Sequence, residues 1–375
     1  MLKPYNDISL LIKRNEGYKM LLSVIIPVYN CKEFVCAAID SILKHQLNDL
    51  QIICVDDGST DGSDLLLDSI AQKNEGIHVI HQRNSGVSVA RNTGIDYVIT
   101  HSQSKYIAFL DADDAWCMGN IFTPELLEVL YADASPDIYA FSSYVSNQSM
   151  SAYAIYGEYE NAEYHDIYAQ PTPNNGTLKG HFAALLYKTN MLAKENIRFC
   201  CGAKFSEDTA FAYHALCASS YTITTHTFLY IYRRNPFSAT HNNFDYKKYF
   251  TYPLIAWETM LTELREKNND HWLKAISGCE ENIAWMYLEA AGHLCECGMT
   301  QCELEKFLND PKYIVYFKKE GTWAKNTFDD INRNCAGFVR KHRKNRFKTY
   351  LINKLRKFYP AVWLYEKLHY TIKHN

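Results

Sequence analysis

Four short apolar segments rich in β-branched residues, Leu22 to Val28, Gln51 to Val55, Ile77 to His81 and Lys105 to Leu110, constrain this chain more than any other feature. Helical periods separate them: Val35, Ile39 and Ile42 with Phe34, Ala38 and Leu43, then Leu65 to Ala71, then Val87 to Ile99. Strand starts therefore recur about every 28 residues, the length of a βα crossover unit. The economical solution is a mostly parallel, Rossmann-like α/β sheet with helices on both faces. The first run is apolar throughout, as suits a strand buried on both faces, and Pro27 near its end is expected to stop the ladder. Ligands of such sheets bind at the carboxyl ends of strands, so the polar clusters that follow each strand are the ones to read for chemistry.

Beyond Ser135 the pattern becomes mixed, with a tyrosine-rich stretch from Tyr153 to Tyr168 and a Pro/Asn/Gly break from Pro171 to Gly176. This reads as a substrate-facing half with long loops. From Tyr246 onward Trp257, Met260, Leu261 and Leu264, then Ile283, Ala284, Tyr287, Leu288 and Ala291, fall at three- and four-residue steps, which predicts an all-helical region. The expected organisation is an N-terminal extension (1–19), an α/β domain (20–243) with a first half at 20–116 and a second at 117–243, and a helical C-terminal region (244–375).

Composition narrows the class. The 375 residues are 47% apolar and 22% charged, as in ordinary globular proteins, and the twelve cysteines lie scattered from Cys31 to Cys335 without the dense spacing of a disulfide scaffold. A reducing, cytoplasmic compartment is expected. No window reaches the roughly 18 to 20 continuous apolar residues of a membrane span, and the first 30 residues lack the order of a signal peptide. The net charge of −3 argues against capture of nucleic acid. Residues 331–365 are the exception, with ten lysines or arginines and no acidic residue. Aromatic and apolar residues interleave with these charges over 338–364. That pattern suits peripheral contact with the anionic inner face of a cell membrane, and equally a solvated helix face or a contact with a partner enzyme. An aromatic helical tail also leaves room for a homodimer.

The first polar cluster, Pro27-Val28-Tyr29-Asn30, follows the first strand, and Asp56-Asp57-Gly58-Ser59-Thr60-Asp61-Gly62-Ser63 follows the second. A carboxylate there can accept a hydrogen bond from the edge of a base such as uracil, with glycines allowing close backbone approach. Ser59, Asp61 or Ser63 serves as well for a helix N-cap. The third cluster, Gln82-Arg83-Asn84-Ser85-Gly86, leads into a helix carrying Arg91, suited to a base or phosphate, while Gly86 and Gly94 suit close helix packing. In the fourth, three carboxylates, Asp111, Asp113 and Asp114, crowd the end of an apolar strand. Such a crowd repels itself unless a hard cation or several donors neutralise it, and oxygen ligands at this density suit magnesium or manganese shared with a diphosphate. His293, Cys295, Cys297 and Cys302 lack the paired spacing of a zinc site and read as structural.

In order, Ser23 to Asn30, Val55 to Asp61, Asn84-Ser85-Gly86 through Ala90-Arg91-Asn92, and Asp111-Ala112-Asp113-Asp114 resemble the signature of family 2 glycosyltransferases. The resemblance is strong over residues 22–116, moderate to about His241 and absent beyond. It implies the GT-A fold, a nucleotide-sugar donor, a divalent cofactor (Mn2+ or Mg2+), and inversion at the anomeric carbon, in the setting of bacterial surface polysaccharide synthesis. Carried over by motif, it implies that Asp57 contacts the base with Asp56 as helper, and that Pro27, Tyr29 and Asn84 lie beside the donor. Arg91 would reach base or phosphate, Asp111 the ribose, and Asp113 the metal, with Asp111 as a second ligand and Asp114 oriented against the donor. Phe205-Ser206-Glu207-Asp208 resembles the family's Glu-Asp motif, making Asp208 the base and Glu207 its orienter; a capping Ser206 with acidic residues in a first helical turn is the plainer reading. Arg233, Arg234 and His241 fall in what looks like a basic loop able to close over the diphosphate, with His241 as a further metal ligand. Gly180 to Lys188 departs from the Trp-x-Lys-Leu wording common where relatives meet the acceptor. The activity implied is transfer from a UDP-sugar to a hydroxyl of a glycan or lipid-linked oligosaccharide. A polyprenyl-phosphate sugar synthase and a catalytically silent sugar-nucleotide-binding scaffold are the competing readings.

Overall fold

A computed structural model describes residues 18–165, 181–203, 205–234, 246–267, 270–296, 298–317 and 323–342. The chain divides into two compact units, Met1–Phe244 with Ile255–Ile276, and Asp245–Leu254 with Ser277–Asn375.

The first unit is built on β1 (Met20–Val28), which is flanked in parallel by β2 (Leu50–Asp56) and β4 (Ser104–Phe109), with β3 (Ile77–His81) beyond β2. Helices α1 (Val35–Leu43), α2 (Ser63–Ala71) and α3 (Val87–Tyr97) are the crossovers that this parallel order requires. Val24, Ile25 and Ile26 are fully buried, as are Ile52, Ile53 and the centre of β4, which explains the unbroken apolar runs. Pro27 does not stop β1: it stays in register opposite Val55, and Val28 opposite Asp56. Leu110 N–H reaches Ile25 O, the last bond on the β4 side, so the N–H that Pro27 lacks falls where β4 has already left the ladder.

After the two-residue strand β5 (Ala115–Trp116) and helix α4 (Pro124–Tyr131), the sheet becomes mixed. The remaining strands are β6 (Ile138–Ser146), β7 (Tyr153–Gly157), β8 (Ala162–Tyr164), β9 (Leu185–Lys188) and β10 (Thr222–Arg233). The continuous order is β3-β2-β1-β4-β9-β6-β10-β5, with β7 on β6 and β8 on β10. Strand β9 runs antiparallel to both neighbours, placing Tyr187 opposite Ile107 on one side and Ile138 on the other. The parallel expectation therefore holds for the first half, and the whole is a mixed sheet.

Phe109, at the end of β4, is the hub of an aromatic core. Phe182, Tyr187, Phe199 and Phe211 surround its ring at centroid distances of 5.2 to 5.9 Å, and Phe199 stacks on Phe211 at 3.9 Å. These rings tie β4 to the 3₁₀ turn Phe182–Ala184, to β9 and to helix α6 (Glu207–Ala218), which follows α5 (Thr189–Lys194). On the opposite flank, Gly94 of α3 packs on β1: a Cβ there would sit 2.5 Å from Ile25 Cγ2. Gly94→Ala is expected to cost about 1–3 kcal/mol through overpacking, measured as a lower midpoint in urea unfolding. An unchanged midpoint would contradict so tight a contact. Gly86, by contrast, is not a packing glycine, since a methyl group in place of its hydrogen would meet nothing within 4 Å; its φ of +93° is what disfavours other residues.

Helix α7 (Tyr246–Glu266) contributes to both units. The second unit is helical, with α8 (Leu273–Glu296) entering it, then α9 (Gln301–Leu308), α10 (Pro311–Ile314) and α11 (Trp323–Arg333). Thr300 and Glu303 form a reciprocal capping box at the start of α9. Tyr287 lies against Phe307 and Tyr313 at 4.3 and 4.4 Å, and Phe317 stacks on Phe328, giving this unit its own core. No helix among the described residues is long and apolar enough to cross a membrane. The basic tail beyond His342 lies outside the described residues, as do His241 and the Pro171 to Gly176 break.

Candidate active site

The loops after β1, β2 and β3 are bonded to one another. Asn30 Oδ1 accepts from Thr60 N–H at 2.8 Å, Ser59 Oγ accepts from Asn30 N–H at 3.1 Å, and Asp61 accepts from Lys32 N–H at 3.0 Å. Asp61 thus spans two loops, and α2 begins at Gly62 without a side-chain cap. Asp57 is buried; its Oδ1 accepts from Gln82 Nε2 and Ser85 N–H at 2.7 and 2.8 Å, and its Oδ2 from Gly86 N–H at 2.8 Å. Three of its roughly four acceptor positions are thereby filled, leaving one on Oδ2. Tyr29, half exposed, and exposed Asn84 flank this carboxylate loop, whereas Pro27 is buried in the strand and offers no side-chain surface to a donor.

Asp56 accepts from Ser59 N–H and is 3.0 Å from His81 Nδ1, while His81 Nε2 is 3.1 Å from Asp68. Hydrogen bonds to Asp56 and then Asp68 raise the His81 pKa above its ordinary value. A pKa higher in the folded state means that this stabilisation is complete below about pH 6.5 and disappears as pH rises through the elevated value. His81 is partly exposed, so the effect stays below about 1 kcal/mol. Thermal melting from pH 6 to 8.5 should fall more steeply for the wild type than for His81→Gln; parallel curves would remove His81 as the cause.

At the end of β4 the three aspartates part company. Asp114 is 1% exposed; its Oδ1 accepts from Arg233 N–H at 2.7 Å and its Oδ2 from the Tyr230 hydroxyl. Burial, then the charges of Asp111 and Asp113, push its pKa well above the usual carboxylate range. Asp114 thus braces the interior, a placement that its position in the motif does not disclose. Arg233 is also engaged at home: Nε donates to Asp113 O at 2.5 Å, Nη1 to Gln148 O at 2.9 Å, and its guanidinium lies 5.1 Å from the Phe34 ring. It holds the acidic loop in place. Arg234, its neighbour, is exposed.

Arg91 departs furthest from expectation. Its motif assigns it to a base or phosphate; in the fold it is buried, with Nη2 2.7 Å from Asp111 Oδ1 and Nη1 3.1 Å from Glu207 Oε1. Its guanidinium sits 4.7 and 5.1 Å from the rings of Phe182 and Phe199. Burial opposes the Asp111 charge, yet Arg91 and then His181 hold that carboxyl below its ordinary value. Glu207 goes the other way: burial and then the Asp208 charge raise it, against the pull of Arg91. Glu207 and Asp208 open α6, preceded by Ser206 at φ +61° with no side-chain cap bond, so the plain capping reading fails. Asp208 Oδ1 accepts from Thr209 N–H at 2.7 Å.

Two side chains complete the site without having been singled out from sequence. His181 Nδ1 accepts from Ala183 N–H at 3.4 Å, and its ring stacks on Tyr230 and Tyr232 at 4.7 and 5.7 Å. Burial depresses its pKa, although Asp111 and Asp208 pull it upward. Tyr156 of β7 lies 6.0 Å from both His181 and Tyr232. The departure of Gly180 to Lys188 from the common wording was the available signal for the first, and the tyrosine-rich stretch for the second.

The acidic edge fits a divalent cation. Among the described residues no group of three His, Cys, Asp or Glu side chains is arranged around a metal. Magnesium and manganese sites that share a diphosphate need only one or two protein carboxylates. Asp113, part-exposed, is suited to that role, and Asp111 keeps its Oδ2 beside the oxygen given to Arg91.

A parallel nucleotide-type half closed by a mixed half, with an acidic strand end and a Glu-Asp helix start brought together by one arginine, is the arrangement of a GT-A fold. Residues 23–192, a little under half of the chain, match the model of the family described as Glycosyl transferase family 2. It is 30% identical over 230 residues to the uncharacterized glycosyltransferase EpsJ of Bacillus subtilis, covering 59% of this chain and 63% of that one. It is 27% identical over 257 residues to glycosyltransferase GlyG of Streptococcus pneumoniae, covering 66% and 79%. The chain thus spans a little under two thirds of EpsJ. Among solved structures, S. aureus TarS 1–349 in complex with UDP-GlcNAc superposes with a TM-score of 0.60 at 14% identity, over 88% of this chain and 90% of that one, a likeness of fold.

Proposed function

We propose that the protein transfers a sugar from a UDP-sugar to an acceptor hydroxyl with inversion at the anomeric carbon. The observation that carries this reading is the buried Asp111–Arg91–Glu207 bridge, which sets the acidic end of β4 beside the first turn of α6. In this reading the uracil edge meets the remaining acceptor position of Asp57, with Asp56 holding the loop behind it and Tyr29 and Asn84 beside the nucleoside. Asp111 takes the ribose side. Asp113, with Asp111, would hold a divalent cation, which supplies Lewis-acid stabilisation of the charge developing on the diphosphate. UDP-GlcNAc binding by a protein of the same fold supports a uridine donor.

Asp208 takes the acceptor proton as the hydroxyl oxygen attacks the anomeric carbon. The carbon–oxygen bond to the diphosphate breaks on the opposite face, and UDP leaves with that electron pair. Glu207, fixed by Arg91, sets the start of α6 and so the direction of Asp208. Exposed Arg234 would meet the diphosphate, and contact of residues 338–364 with an anionic membrane face belongs to the same reading, for lipid-linked acceptors. The test is release of UDP from a panel of UDP-sugars with and without manganese. Release should require the metal and fall at least roughly a hundredfold in Asp113→Ala. Donor binding without turnover, once glycan acceptors are supplied, would defeat the transferase reading.

A further inference from the structure

The acceptor side of the site carries an aromatic corner that the transfer chemistry leaves unused. Tyr230, His181 and Tyr232 form a stack, with interplanar angles of 14° and 25° about the imidazole. Tyr156 stands against this stack at 64° to His181 and 42° to Tyr232. Tyr230 is buried and its hydroxyl is given to Asp114, so it serves as the back wall. Tyr156 differs: 52% of it is exposed, whereas His181 and Tyr232 are partly buried. Alternation along β7 turns it to the face opposite Tyr153 and Ile155, and that is the face where the His181 and Tyr232 rings lie.

The corner adjoins the acidic loop: the Tyr230 ring lies 4.7 Å from His181, and its hydroxyl accepts from Asp111 N–H at 3.4 Å and donates to Asp114. An open aromatic face next to a carboxylate base matches a sugar ring, whose axial C–H groups pack on the π face while its hydroxyls meet the polar tips. A phosphate acceptor fits poorly: the corner offers neutral rings, a histidine whose charge burial disfavours, and the anionic Asp208 and Asp111 nearby.

We infer that Tyr156, with Tyr232 and His181, forms an acceptor subsite for a pyranose ring, Tyr156 providing the exposed platform and His181 the edge. The inference rests on the glycosyl-transfer reading and names the class of acceptor for the same site. Because the Nδ1 of His181 accepts a backbone N–H, a neutral ring carries its proton on Nε2, which gives the subsite a hydrogen-bond donor for a sugar oxygen.

Saturation-transfer NMR on the full-length protein loaded with UDP and manganese tests this, using the methyl β-glycosides of glucose, galactose, N-acetylglucosamine and rhamnose as probes. At least one glycoside should bind the wild type. Tyr156→Ala should weaken that binding roughly three- to tenfold, with Tyr156→Phe within about twofold of wild type. UDP affinity, titrated calorimetrically in the same samples, should not change, and melting temperature checks that the variants are folded. Equal glycoside affinity in wild type and Tyr156→Ala, or no glycoside binding to a wild type that does bind UDP, overturns the subsite. A wild type that fails to bind UDP overturns the transferase reading itself, so the two failures are told apart in one experiment.

Discussion

Asp208→Asn is expected to lower kcat by about 10²- to 10⁴-fold while leaving UDP affinity unchanged, because the amide keeps the shape of the side chain and loses only its ability to take a proton. Turnover measured by UDP release and affinity measured by calorimetry separate the two effects. The position supports the base assignment: Asp208 lies in the first turn of α6, next to a Glu207 that Arg91 immobilises, and its charge acts on both His181 and Tyr156 on the acceptor side. An Asn variant with wild-type kcat would return the reaction to an acceptor that needs no base, such as a phosphate.

Arg91→Met is expected to destabilise the first unit by about 3–5 kcal/mol, because it leaves the carboxylates of Asp111 and Glu207 desolvated without their counter-charge. For a unit of this size that corresponds to a fall in Tm of roughly 10 °C. Arg91→Lys should recover little. An ammonium cannot bond two separated carboxylates through two nitrogens, nor lie flat between Phe182 and Phe199 as the guanidinium does. Replacing all three charges together, Arg91→Met with Asp111→Asn and Glu207→Gln, should restore much of the stability and none of the activity. If the triple variant were no more stable than Arg91→Met, the destabilisation would have to come from lost packing instead of unpaired charge.

The first half of the fold was legible because each of its strands is a contiguous apolar run, and each crossover puts one polar cluster at the same edge. Nothing comparable announces β9, a four-residue strand whose partners β4 and β6 lie some 40 to 80 residues upstream. Its antiparallel direction follows from long-range pairing, and no local period records that. The site divides in the same way. Which residue types would gather was readable from the motifs, whereas their individual duties were not. Asp113 and Asp114 are equivalent in sequence, and only the fold sends one into the interior against Tyr230. Arg91 looked like a surface or ligand-binding cation because its two partners lie 20 and 116 positions away. His181 and Tyr156 carried no motif at all, being defined by the rings around them.

The antiparallel placement of β9 has a mechanical consequence. Because it hydrogen-bonds to β4 on one side and β6 on the other, the strand end that bears the acidic loop and the strands that carry the aromatic corner belong to one unbroken plate. Such a plate has no seam along which its two sides can swing apart, in contrast to enzymes that clamp a substrate between hinged lobes. In the proposed reaction, admission and release of ligands would then fall to the loops at its rim, and the spacing between donor and acceptor would be set by the stiffness of the sheet.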